Sequence, residues 1–296
     1  MGDLRVSMAA GRGWLERHAA YLLPDALVFA EIGLRAAGMR HSPRLHPRRA
    51  GRAAQRLVPL SPAFRTVAAA AGPLYHGYRG PAPLVAARRA QRRRLPSRRA
   101  SGSLVPSLDG ATINRALAEC VGAGPSPESL RWMRRPGQSD FVLTHQLLAW
   151  LLYLWNRGPE EATRRIRRLG DTVRREADRL GAYHDLLAQQ TAFLALGGWP
   201  SSDLRPLIAR ILADQDARDG GWHYFETNAL DAAAVLGRVA CGWSPLIGLP
   251  VAGEERHLGR MAATLRHVHR AHATALSLCA LGVTARRRRD STPSAR

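Results

Sequence analysis

The chain has 296 residues, 46% of them hydrophobic, enough for one large core or two small ones. Its net charge is +21, but all 44 basic residues are arginine. Together with abundant Ala, Gly and Pro, that fits the coding bias of a GC-rich genome and weakens the nucleic-acid reading that such a charge invites. No run of about 18 apolar residues is present to span a bilayer. Three cysteines, Cys120, Cys241 and Cys279, are too few for a disulfide framework or a cysteine-built zinc module.

Met1 to Arg17 carries Asp3, Arg5, Arg12 and Glu16 without a long apolar run between them. It lacks the order of a signal peptide, so a cytoplasmic location is expected. Asp25 opens a helical segment that runs through Val28 and Ile32 to Gly38. Arg40 to Arg99 is dense in arginine, with Arg48-Arg49, Arg88-Arg89, Arg92 to Arg94 and Arg98-Arg99 set among Pro, Ser and Ala. Residues 1–103 therefore read as an N-terminal helical region with a partly mobile, arginine-rich segment.

From 104 to 285 the pattern sharpens into an internal repeat. Apolar helical segments opening at Asp109, His145, Asp185, Ala229 and His269 each reach a glycine thirteen residues later, at Gly122, Gly158, Gly198, Gly242 and Gly282. Their starts are 36, 40, 44 and 40 residues apart. The glycines stand where a helix C-cap favours a left-handed residue. Between these segments lie arginine-rich amphipathic helices. One starts at Pro159 with the stripe Ala162, Ile166, Leu169, Val173, Ala177 and Leu180, one spans Ser202 to Ala213, and one spans Glu254 to Val268. A buried helix alternating with an amphipathic one at about 40 residues describes an all-α chain of helical hairpins, closed into an α/α toroid or stacked as an open solenoid. Residues 286–296, with the run Arg286 to Arg289, read as a disordered basic tail.

Gln215-Asp216-Ala217-Arg218-Asp219-Gly220-Gly221-Trp222 resembles the glutamine–tryptophan signature of squalene–hopene cyclases and their relatives. His272-Ala273-Thr274-Ala275-Leu276, running on to Gly282, is similar to an inner-helix opening in the same superfamily. In the β subunits of protein prenyltransferases a histidine in that context binds zinc. The resemblance implies a toroid with a central cavity, an isoprenoid or other hydrophobic small molecule as ligand, and a divalent metal such as zinc. The aspartate-rich acid motif of the cyclases and the Asp-x-Cys pair of the prenyltransferases are missing from this chain.

Parallel inner helices would bring their starts to one rim. Asp25, Asp109, His145, Asp185 and His269 then share it, with Thr144, His184, Asp231 and His272 within about a turn. Carboxylates and imidazoles are zinc ligands and general acids or bases. Asp at a helix start is also an ordinary N-cap. Imidazolium is disfavoured at a positive helix end, so a histidine there should be neutral, the form that binds metal or takes a proton. The expected catalytic set is His145, Asp185 and His272. The expected metal set is His269, His272 and Asp185, and the expected cavity set is Asp109, Trp150, His184, Trp222, Tyr224 and Asp231. The cysteines fall near the far ends of their segments, as small buried hydrophobes. The competing expectation is a non-enzymatic scaffold that binds protein or nucleic acid through its arginines.

Overall fold

The computed structural model describes residues 2–40, 42–46, 110–121, 124–138, 140–158, 160–178, 184–223 and 255–290. These residues are predominantly helical, and no strand occurs among them beyond an isolated bridge between Gln215 and Trp222. The helices are α1 (Gly2–Arg17), α2 (Pro24–Ala36), α3 (Gly110–Val121), α4 (Pro127–Arg134), α5 (Asp140–Arg157), α6 (Glu160–Ala177), α7 (His184–Gly197), α8 (Ser201–Ala213) and α9 (Glu255–Asp290). None is long and apolar enough to cross a membrane.

Glycines end the helices where the sequence places them. Gly38 after α2 and Gly198 after α7 have φ of 74° and 99°. Each closes a Schellman motif, with Met39 N–H donating to the Leu34 carbonyl and Trp199 N–H to that of Leu194. Gly158 after α5 (φ 66°) donates to the Leu154 carbonyl in the simpler left-handed cap.

The C-terminal part departs from expectation. The amphipathic segment from Glu254 and the apolar one from His269 do not form a hairpin. They are one helix, α9, of 36 residues. Ala, Leu and Arg, all strong helix formers, carry it without a proline or a turn sequence. Gly282 is inside α9 and caps nothing; it marks the place where α2 lies against the helix. The run Arg286 to Arg289 is likewise helical and not a tail; residues 291–296 lie outside the described set. Arg289 donates to the carbonyls of Ala36 (2.6 Å) and Ala37 (3.3 Å), so its cation sits on the negative end of α2.

Five helices form an inner row in the order α3, α5, α7, α9 and α2, each packed on the next. Along α2 and α9, Gly33 meets Leu278 and Gly282, and then Ala36 and Ala37 meet Arg289. Along α7 and α9, Asp185 meets His272 and Gly198 lies by Arg287. Both pairs therefore run parallel. The amphipathic helices fill the outer notches: α4 against α3 and α5, α6 against α5 and α7, α8 against α7 and α9, and α1 on α9. Their buried faces are those that periodicity picks out: Ala162, Ile166, Val173 and Ala177 on α6, and Leu204, Leu207, Ile208 and Ile211 on α8. α1 and α2 share one core with the later helices, and the 103/104 boundary lies outside the described residues.

The turn from Gln215 to Trp222 clasps α1 to α8 and α9. Gln215 Nε2 donates to the carbonyls of Gly220 (2.7 Å) and Ser7 (2.8 Å), and Ser7 Oγ bonds to Gln215 Oε1. The fully buried Trp222 donates from its indole to the Ile211 carbonyl (2.6 Å) and from its backbone to Thr274 Oγ1 (3.0 Å). Arg270 of α9 makes two 3.0 Å bonds to Asp219 and lies 5.0 Å from the Trp14 ring centre. Burial works to raise the Asp219 carboxyl, but Arg270, the Gly221 N–H and the Trp14 indole outweigh it and hold it below its usual range.

Beside this clasp, Trp14, His18, His267 and Tyr21 stack in sequence, with centroid separations of 4.1, 5.6 and 4.7 Å. Burial first, then His18, Arg266 and Arg270, depress the His267 imidazole below its ordinary value of 6.5. The unfolded chain therefore takes up this proton at a higher pH than the folded one. Stability from this site is complete above pH 6.5 and is lost as the pH falls below it. Urea midpoints measured from pH 7.5 to 5 should decline for the wild type and decline less for His267→Phe, which keeps the stack but removes the titration. Equal slopes would contradict this.

Candidate functional site

α7 and α9 carry polar groups inside an otherwise apolar row. Asp185 falls in the first turn of α7 because His184-Asp185 opens the apolar run Leu186 to Leu196. His272 lies midway along α9. His272 Nδ1 and Asp185 Oδ1 are 2.8 Å apart, with side chains only 10% and 6% exposed. A carboxylate only accepts, so Nδ1–H is the donor, and Nε2 is the ring's second nitrogen. This carboxylate-oriented imidazole is the arrangement that holds or moves a proton at Nε2.

More buried polar groups flank the pair. On α5, Thr144 Oγ1 accepts a bond from Gln190 Nε2 (3.2 Å), and His145 is buried next to it. His269 is buried one turn before His272. On α7, Gln189 is buried one turn after Asp185, and its Oε1 has no hydrogen-bond donor.

Of the residues expected to act, the structure brings Asp185 and His272 together. Among the described residues no group of three His, Cys, Asp or Glu side chains is placed to hold a metal ion. The expected zinc set of His269, His272 and Asp185 does not form such a group: Asp185 Oδ1 bonds to His272 Nδ1. His269 and His272 are also mid-helix, so the positive-end argument for their neutrality does not apply to them. Of these three residues, Asp185 alone keeps a place at a helix start.

His184 points elsewhere, with Nε2 3.5 Å from Asp214 Oδ2 at the end of α8; consecutive residues on a helix face different ways. Trp150 is fully buried and donates to the Met133 carbonyl (3.1 Å), tying α5 to α4. Trp222 belongs to the clasp. Asp109, Tyr224 and Asp231 lie outside the described residues, as does Cys241. Cys120 and Cys279 are buried, and burial raises both thiols, Cys120 to about 12, which makes them inert core residues.

Gln189 and Gln190 are functional candidates the motif search passed over. Their signal, two adjacent glutamines within His184 to Gly197, shows only once the helix is known to be buried from Asp185 to Ala195. No protein-family model, curated protein or solved structure matches the chain.

Proposed function

We propose that the inner row closes into an α/α toroid and that its interior binds a hydrophobic small molecule, on which the Asp185–His272 pair holds or moves a proton. One observation carries this reading: a hydrogen-bonded carboxylate–imidazole pair, nine-tenths buried, joins two parallel helices whose other buried residues are largely apolar. Such a pair costs desolvation free energy that a hydrophobic pair of similar volume would avoid. A proton-handling role accounts for its presence, and the resemblance to toroid cyclases and prenyltransferases supports an isoprenoid-like ligand. The chain's own residues suffice for this chemistry: Asp185 fixes the ring of His272, and Nε2 is the atom that exchanges the proton.

The test uses farnesol and farnesyl methyl ether as probes. Both should raise the Tm of the wild type, because a ligand at 100 times its Kd adds about 2.7 kcal/mol to the folded state. His272→Gln and Asp185→Asn should fold but bind farnesol at least about fivefold more weakly, consistent with a lost hydrogen bond worth about 1 kcal/mol. If neither probe binds the wild type, this reading is wrong.

A further inference from the structure

Gln189 lies four residues after Asp185 on α7, a spacing that puts both side chains on one face of the helix. Of its neighbours, Thr191 Oγ1 bonds to the Leu187 carbonyl (2.7 Å), and Gln190 Nε2 reaches Thr144 while Gln190 Oε1 is buried without a donor. Gln189 differs from Gln190 in sharing the Asp185 face of α7. The residue is 3% exposed, and its carbonyl oxygen is buried without a donor. An acceptor left this way costs about 1–3 kcal/mol. An apolar side chain of the same length, such as methionine, would avoid that cost. The orphaned acceptor also sits one turn from the only carboxylate–imidazole pair among the described residues that joins α7 to α9.

We infer that Gln189 recognises the polar end of the ligand, accepting a hydrogen bond from a hydroxyl on an otherwise hydrophobic molecule. This rests on the reading of the Asp185–His272 pair given above and adds the ligand's functional group. A hydroxyl suits this acceptor, since it can donate to Gln189 Oε1. It is also neutral, so it brings no further charge into a site already nine-tenths buried. An ammonium group would carry that penalty, and a diphosphate would bring several charges with no arginine in α7 to meet them. Gln189 is thus a specificity-determining residue, and proton handling stays with His272.

The experiment compares farnesol with farnesyl methyl ether, which have the same apolar body but differ in the donor proton. Binding is measured by calorimetry to the wild-type full chain and to Gln189→Met. The wild type should prefer the alcohol by about tenfold, the equivalent of one hydrogen bond to a buried acceptor. In Gln189→Met the alcohol should fall to the affinity of the ether, while ether binding stays unchanged. The unliganded variant should melt at the same temperature as the wild type or higher, because the change removes an unsatisfied acceptor. A purely structural glutamine would instead lower the Tm and leave the alcohol preference intact, and that result overturns the inference. Equal affinity of the wild type for both probes overturns it too, yet leaves the Asp185–His272 reading standing. Failure of both probes to bind overturns both.

Discussion

Alanine at Gly33 or at Gly282 should destabilise the protein by about 3 kcal/mol, the upper part of the usual range for an overpacked core. A Cβ at Gly33 would overlap the Leu278 carbonyl, and one at Gly282 would overlap the Gly33 carbonyl. The obstacle is backbone on both sides, so no rotamer change relieves it and α2 and α9 must move apart. For a chain of this size the loss corresponds to a fall in Tm of roughly 5 °C. Gly38, where a Cβ would meet nothing within 4 Å, has a left-handed φ and calls for glycine for a different reason. The check is thermal unfolding of Gly33→Ala and Gly282→Ala. A Tm within 2 °C of the wild type would show that the helices do not touch through these glycines.

Trp222→Ala should cost about 4 kcal/mol, the transfer and cavity terms of a large buried aromatic together. The loss has a direction. The Trp222 ring lies against Gly11 of α1 and its indole bonds to the end of α8, so removing it loosens the clasp on α1. Limited proteolysis should then cut within α1 first. Val6, exposed on α1, serves as the control: Val6→Ser should change neither stability nor cleavage. Cleavage elsewhere before α1 would mean that the Gln215–Trp222 turn does not hold α1 in place.

Much of the helix inventory was legible from periodicity. The stripes of α6 and α8 can be read because each helix buries one face and shows water the other, which forces a 3.6-residue alternation. The stops at Gly38, Gly158 and Gly198 can be read because a left-handed cap favours glycine. Gly282 misled for an equally physical reason: a glycine needed for close helix approach looks the same in sequence as one needed for a turn. The arginines from Arg286 to Arg289 read as a tail because they lack apolar neighbours. The partners of Arg289 are the carbonyls of Ala36 and Ala37, at the end of a helix some 250 residues earlier. The candidate site was half legible. Asp185 and His272 stood out as residue types at suggestive places, but their pairing spans 87 residues and no local pattern encodes it. Gln189 was hidden by its surroundings, since a polar residue in a fully buried helix stands out only once that burial is known.

The contact between α2 and α9 also sets a timetable for folding. Arg289 and Ala37 are separated by 252 residues, so a ribosome moving at 5–20 residues per second needs roughly 12–50 s between making one and making the other. Throughout that interval the face of α2 that packs on α9 lacks this partner. α9 completes the packing of a helix made far earlier, and a chain released short of α9 would leave the side of α2 around Gly33 without its partner, as a binding surface for chaperones or for other unfinished chains.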